Sequence, residues 1–122
     1  MITLDFGDHR PLYEQIKEKL KELIITGVLT ENEKIPSVRE LASSLAINPN
    51  TIQKAYKDLE SEGYIYSRRA SGSFVAAREI VAEHTENAEM FEKLDTLLNE
   101  MLFCGIGYDE IKRHLDDAYR KE

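Results

Sequence analysis

Apolar side chains recur at helical spacing near the start of the chain, between a proline and a glycine. Their stripe predicts an amphipathic first helix and consists of Leu12, Ile16, Leu20, Leu23 and Ile24. Pro11 suits the first position of a helix, and Gly27 suits its end because glycine accepts the left-handed conformation. Tyr13 and Gln15 lie off the stripe, and we expect both at the surface.

Two shorter helices are predicted next. Ser37 and Glu40 have the spacing of a capping box, which starts the second helix. Asn48 and Pro49 start the third, because asparagine caps helices and proline fits the first turn. Gly63 ends it. The side chains predicted to face inward are Val38, Leu41, Ala42, Leu45, Ile52, Ala55, Tyr56 and Leu59. Short helices joined by a tight junction of roughly three to four residues indicate a helix-turn-helix.

Residues 64–66 and 73–75 read as short strands around the polar, glycine-containing turn 67–72. A β-hairpin directly after the third helix is a wing, so the first part of the chain is predicted to be a winged helix-turn-helix. The aromatic residues Tyr56, Tyr64, Tyr66 and Phe74 are interpreted as core side chains. A stacking platform for single-stranded nucleic acid is the alternative.

The character of the sequence changes at about Arg78, where we place a domain boundary between residues 1–77 and 78–122. The second part, the tail, is predicted to hold two amphipathic helices separated by Gly105 and Gly107. The first carries Met90, Leu94, Leu97, Leu98, Met101 and Leu102, and the second carries Ile111, Leu115, Ala118 and Tyr119 on its inner side. Two such helices bury little alone, which favours a homodimer formed through the first set. A small-molecule effector site between the helices is left open. The predicted fold class is mainly α with a small β-hairpin.

Charge is distributed unevenly between these parts. The 122 residues carry a formal net charge of −7, which by itself argues against a nucleic-acid ligand. Residues 1–78, however, hold 11 basic and 11 acidic residues, whereas residues 79–122 hold 5 and 12. The acidic excess therefore belongs to the tail, and the first part is free to present a basic face.

Several other classes of protein are disfavoured. No apolar run approaches the roughly 18 residues of a membrane span, and the N-terminus lacks the pattern of a signal peptide. The lone Cys104, expected to be buried, fits a reducing cytoplasm. His9, His84 and His114 are scattered, and no phosphate loop or nucleophile elbow is present. We therefore expect neither an enzyme nor a cofactor or metal site.

Three separated motifs, in order, carry a family resemblance. They are IPSVRELA at 35–42, NPNTIQKAY at 48–56 and LESEGYI at 59–65. Residues 10–76 resemble the DNA-binding domain of the GntR family of bacterial regulators, and the Asn-Pro-Asn-Thr run with the short tail resembles its YtrA subfamily. The resemblance implies a homodimer on a pseudo-palindromic operator, often near transport genes. Two departures are Asn48-Pro49, where many relatives have Ser-Arg, and Ala70, where glycine is common.

The third helix is interpreted as the recognition helix that enters the major groove of double-stranded DNA. Its predicted contacts are Asn50, Thr51, Gln53, Lys54 and Lys57. Asparagine and glutamine can bind adenine through two hydrogen bonds, and threonine can meet a phosphate or a thymine methyl group. The alternative is that these residues are ordinary first-turn and solvated positions.

Further predicted contacts lie outside the recognition helix. Arg39 is assigned to a phosphate or a guanine edge, with an ion pair to Glu40 or Glu60 as the alternative. Arg68, Arg69 and Gly72 are assigned to the wing, although a solvated turn would also suit them. A winged helix used only as a protein adaptor would lack these cations, so the sequence favours a DNA-binding repressor.

Overall fold

The computed structural model describes residues 4–121, in which six helices and three strands form. In chain order they are α1 (Leu12–Ile25), β1 (Lys34–Ile35), α2 (Val38–Leu45), α3 (Pro49–Ser61), β2 (Ile65–Arg68), β3 (Gly72–Val75), α4 (Arg78–His84), α5 (Asn87–Phe103) and α6 (Tyr108–Arg120). The chain divides into two compact units, the first ending at Thr85 and the second beginning at Glu86. The sequence placed this division after Ala77 and did not predict α4, which belongs to the first unit.

One cluster of buried side chains holds the first unit together. It comprises Ile16, Leu20, Leu29, Ile35, Leu41, Ala42, Ile52, Ala55, Tyr56, Leu59, Ile65 and Val75. All four positions predicted to face inward from α3 are buried. From α1 and α2, the predicted positions Leu23, Ile24, Val38 and Leu45 pack half-buried against the cluster. Helical periodicity in the sequence therefore located the core of this unit.

Gln15 departs from the prediction, because its side chain is only 7% exposed instead of lying at the surface. The amide oxygen accepts a hydrogen bond from the backbone N–H of Asp5 at 2.9 Å. The amide nitrogen donates to the carbonyl oxygens of Asp5 and Arg10 at 3.0 and 3.1 Å. The segment before α1 folds over this side chain and satisfies both of its hydrogen-bonding groups, so burial costs little.

The predicted starts of α2 and α3 are confirmed. Ser37 Oγ accepts from the Glu40 N–H at 3.1 Å, and the Glu40 carboxylate accepts from the Ser37 N–H at 3.3 Å. Asn48 Oδ1 accepts from the Asn50 N–H at 2.9 Å, and Pro49 is the first residue of α3. The junction between the helices is residues 46–48, where Ala46 adopts a left-handed φ of 56°.

The predicted hairpin is part of a three-stranded antiparallel sheet of order β1-β3-β2. We call β2, β3 and their turn the wing. Lys34 pairs with Phe74 across β1 and β3, and Tyr66 pairs with Phe74 across β2 and β3. Because side chains alternate along a strand, two faces are defined. The core face carries Ile35, Ile65 and Val75, and the opposite face, here the outer face of the sheet, carries Lys34, Tyr66, Arg68, Gly72 and Phe74.

Two aromatic residues are not where they were predicted. Tyr56 is buried and Tyr64 packs against the core, as expected. Tyr66 and Phe74 instead stack on each other on the outer face, with their ring centroids 5.6 Å apart. The reason is the strand register, which places both residues in the row opposite to that of Ile65 and Val75.

The second unit consists of α5 and α6, the two helices predicted for the tail. Most of their apolar side chains are exposed in the single chain. Leu115, Ala118 and Tyr119, predicted on the inner side of the last helix, are exposed, and Ile111 is half-buried. Cys104 is exposed rather than buried. None of the helices described between residues 4 and 121 is long and apolar enough to cross a membrane.

Candidate nucleic-acid interface

Helix α3 separates its side chains into a buried and an exposed set. Ile52, Ala55, Tyr56 and Leu59 fix one side of the helix in the core. The other side presents Asn50, Gln53, Lys54 and Lys57 to solvent, and Thr51 is half-buried. The predicted contacts of the recognition helix thus form one continuous polar surface on a helix whose orientation is set by packing.

Tyr56 attaches α3 to the start of α2. Its hydroxyl donates a hydrogen bond to the carbonyl oxygen of Pro36 at 2.6 Å. Burial, together with the nearby carboxylate of Glu40, raises the pKa of this hydroxyl above its ordinary range, so it stays a donor. The bond joins α3 to the segment just before α2, a role that the sequence did not reveal.

Lys54 has a local partner that the sequence did not suggest. Its ammonium lies 4.0 Å from the centroid of the Tyr13 ring, which is half-buried against the core. A cation over an aromatic face contributes about 0.5–1 kcal/mol at an exposed site. Lys54 remains exposed, so this contact positions its charge beside the polar surface of α3.

Arg39 lies in the first turn of α2 and is exposed. The two carboxylates considered as its partners are engaged elsewhere: Glu40 closes the capping box, and Glu60 accepts from the Ser67 N–H at 3.2 Å. Within residues 4–121, no carboxylate lies at ion-pair distance from Arg39. The ion-pair alternative is therefore not realised, and the guanidinium is available to a ligand.

The wing carries two further exposed cations, Arg68 and Arg69. The Arg68 guanidinium carbon lies 5.8 Å from the centroid of the Tyr66 ring, and Arg69 is exposed in the turn. Ala70 and Gly72 both have positive φ, 66° and 116°. Glycine pays no steric cost in such a conformation, whereas Ala70 carries a Cβ there.

Lys34 is a further cation near the wing, and its position was not evident from the sequence. Its Cε lies 3.0 Å, and its ammonium 3.7 Å, from where a Cβ on Gly72 would be. Strand β1 carries Lys34 to this place by pairing with β3. A two-residue strand ahead of the helix-turn-helix has no pattern that would have predicted the pairing.

At the C-terminal end of α3, the charged side chains are paired within the fold. Glu62 pairs with Lys17 and Lys21 of α1, at 3.3 Å in the case of Lys21. Burial alone would raise the pKa of Glu62, but the hydrogen bond from Lys17 and the charge of Lys21 lower it below its ordinary value. Burial likewise opposes the charge of Lys17, yet the bond to Glu62 raises the pKa of that ammonium. These two lysines have a carboxylate partner within the fold, unlike Arg39.

The predicted dimerisation residues form an apolar stripe on α5. Met90, Leu94, Leu97 and Leu102 are 57%, 45%, 50% and 67% exposed, and Leu98 and Met101 are half-buried. The same unit exposes five apolar or aromatic side chains that were not assigned to dimerisation: Phe91, Phe103, Tyr108, Leu115 and Tyr119. Exposure on this scale is typical of a surface that another protein covers. Among the described residues, no group of His, Cys, Asp or Glu side chains could hold a metal ion.

The fold and this surface define a winged helix-turn-helix protein. The sequence profile of the bacterial regulatory proteins of the gntR family matches residues 12–75. The chain therefore belongs to the GntR family of bacterial regulatory proteins, and it is YtrA-like. It is 36% identical over 113 residues to the HTH-type transcriptional repressor YtrA of Bacillus subtilis, covering 91% of this chain and 86% of that protein.

Solved structures agree with this assignment. A transcriptional antiterminator from Listeria monocytogenes is 35% identical, with a TM-score of 0.80 over 98% of this chain and 90% of that one. AraR(DBD) in complex with operator ORE1 is 36% identical, with a TM-score of 0.54 over 62% of this chain and 93% of that one. The fold of the first unit is thus one that has been solved bound to operator DNA.

Proposed function

We propose that this chain is a cytoplasmic transcriptional repressor that binds a pseudo-palindromic operator in double-stranded DNA as a homodimer. The observation that carries the proposal is the exposed polar side of α3, flanked by Arg39, which no carboxylate in residues 4–121 neutralises. This arrangement suits double-stranded DNA, which presents base edges in a groove between two phosphate backbones.

The proposed contacts divide into two groups. Asn50, Thr51 and Gln53 stand near the start of α3 and read base edges in the major groove. The cations contact phosphates or guanine edges and set the strength of binding: Arg39, Lys54, Lys57, Arg68 and Arg69. Gly72 lets the backbone of the wing approach DNA closely.

The homodimer is proposed to form through Met90, Leu94, Leu97, Leu98, Met101 and Leu102. Covering these exposed side chains removes apolar surface from water, which is the main driving force for association. The acidic character of the tail keeps it away from DNA. Repression follows by occupancy, because two recognition helices in successive major grooves block the polymerase. An effector that shifts the spacing of the two helices stays a prediction.

The test is fluorescence anisotropy with labelled duplex DNA from upstream of the protein's own gene, compared with a random duplex of equal length. We expect Gln53→Ala to reduce the preference for one base position by about 1–3 kcal/mol. Lys57→Ala should weaken binding to both duplexes alike and flatten the salt dependence. Failure of the wild-type protein to bind any duplex at low salt would contradict the proposal and favour a protein adaptor.

A further inference from the structure

The outer face of the sheet has a gap in its middle strand. Gly72 of β3 lies directly opposite Arg68 of β2, and its other neighbour on this face is Lys34 of β1, one row away. Because Gly72 has no side chain, this position is open to a side chain from a neighbouring strand. The next row, formed by Lys34, Phe74 and Tyr66, continues this face with a stacked aromatic pair.

The gap determines where the charge of Lys34 lies. Its Cε is 3.0 Å and its ammonium 3.7 Å from the position of a Cβ on Gly72, so the side chain crosses the space that any other residue would occupy. The side chain of Lys34 thus lies along β3 toward the turn of the wing, instead of extending freely into water. Gly72 also has a φ of 116°, which side chains rarely adopt.

No acidic group neutralises this ammonium in the described part of the chain. Glu33, its neighbour in sequence, is occupied by Thr30, whose N–H and hydroxyl donate to the Glu33 carboxylate at 3.0 and 3.2 Å. Within residues 4–121 no carboxylate lies at ion-pair distance from Lys34. Positive charge is therefore concentrated around the turn of the wing by Lys34, Arg68 and Arg69. These like charges repel one another unless an anion is bound.

We propose that Lys34, which lies in β1 beside the wing, contacts DNA and binds a backbone phosphate next to Gly72. The proposal rests on the DNA-binding function proposed above and adds a cation that is supplied from outside the hairpin. A flexible ammonium acts on phosphate as a point charge and reads no bases. Lys34 thus contributes to the strength of binding and leaves the choice of sequence to α3.

The experiment measures the salt dependence of binding by the full chain to a short random-sequence duplex, so that no operator need be known. We expect Lys34→Met to reduce the slope of log affinity against log salt by about one, the value for one lost phosphate contact. Lys34→Arg keeps the charge and should keep the slope. Lys19→Met is the matched control, because Lys19 pairs with Glu22 at 3.5 Å on the exposed surface of α1.

The outcomes separate the two proposals. A wild-type slope that Lys34→Met leaves unchanged would overturn the role of Lys34, while DNA binding itself would stand. An equal loss in Lys34→Met and Lys19→Met would also overturn it, since the effect would then be one of net charge. Absence of binding by wild-type protein to any duplex would overturn both proposals. Thermal unfolding of the exposed Lys34→Met variant shows whether its fold is intact.

Discussion

At the scale of single residues, the proposed interface includes positions that determine backbone conformation. Ala70 is the clearest case, because a residue with a Cβ occupies a left-handed position in the turn of the wing. The left-handed conformation costs roughly 1–2 kcal/mol for a residue other than glycine. Ala70 therefore lowers the stability of the turn, while Arg69 beside it remains exposed.

We predict that Ala70→Gly stabilises the protein. The strain that glycine relieves in the folded turn outweighs the conformational entropy that it adds to the unfolded chain. The free energy of unfolding therefore rises by about 0.5–1 kcal/mol. Urea unfolding followed by circular dichroism measures it. Ala82→Gly in α4 is the matched control, since the same change inside a helix should destabilise by up to about 1 kcal/mol. A loss of stability in Ala70→Gly would show that the turn carries no strain.

At the scale of elements, the position of α3 depends on two attachments to neighbouring segments. Tyr56, in the middle of α3, bonds to Pro36, and Glu62, just after its end, pairs with Lys17 and Lys21 of α1. The buried side chains of α3 also pack in the core that it shares with α1 and α2. The polar side of the recognition helix is thus presented at a fixed angle, which base recognition requires.

The attachment through Glu62 predicts how stability depends on pH. Its pKa is lowered in the folded protein, so the unfolded chain takes up this proton at a higher pH than the folded chain does. The contribution is complete near neutral pH and is lost as the pH falls through the lowered pKa. We expect Glu62→Gln to cost at most about 1 kcal/mol near neutral pH, because the pair is partly exposed, and to cost less in acid.

Urea unfolding at neutral and acid pH measures this difference. Glu31→Gln, a change at an exposed carboxylate in the loop before β1, is the control and should alter neither value. An equal cost of Glu62→Gln at both pH values would assign the effect to packing and remove the ion pair from the explanation.

At the scale of the whole molecule, the two units have different surfaces. The first unit encloses its core and exposes polar and basic residues around α2, α3 and the wing. The second unit has no buried residue in either helix within the part of the chain described. A pair of helices with such exposed apolar side chains gains stability from a second copy, as proposed for the homodimer.

We therefore predict that Leu97→Asp separates the dimer. A buried carboxylate without a partner is costly, so the two copies come apart. Each half-site is then bound independently, and affinity for a two-site operator falls by about a hundredfold. Sedimentation velocity measures the mass, and anisotropy measures the affinity.

Asn99→Asp on α5 is the control for Leu97→Asp, because it adds the same charge on the side of the helix away from Leu97. It should leave both mass and affinity unchanged. A Leu97→Asp protein that remains dimeric and binds as tightly as wild type would show that α5 is not the dimer interface.

The sequence alone determined most of the first unit. Spacing of apolar residues located the core positions of α1, α2 and α3, and Ser37, Glu40, Asn48 and Pro49 located the helix starts, because capping depends on residues close in sequence. The motifs around these positions also identified the family. Local interactions encode such features, so they can be read without knowing the fold.

Tertiary structure alone decided which distant residues meet. The pairing of β1 with β3 carries Lys34 to Gly72, and strand register turns Tyr66 and Phe74 outward. The segment before α1 buries Gln15, and α4 joins the first unit. Each of these depends on contacts between segments far apart in sequence, whose pairing no local periodicity specifies. The sequence thus located α3 and its polar side, while the fold decided which cations and aromatic rings lie near one another.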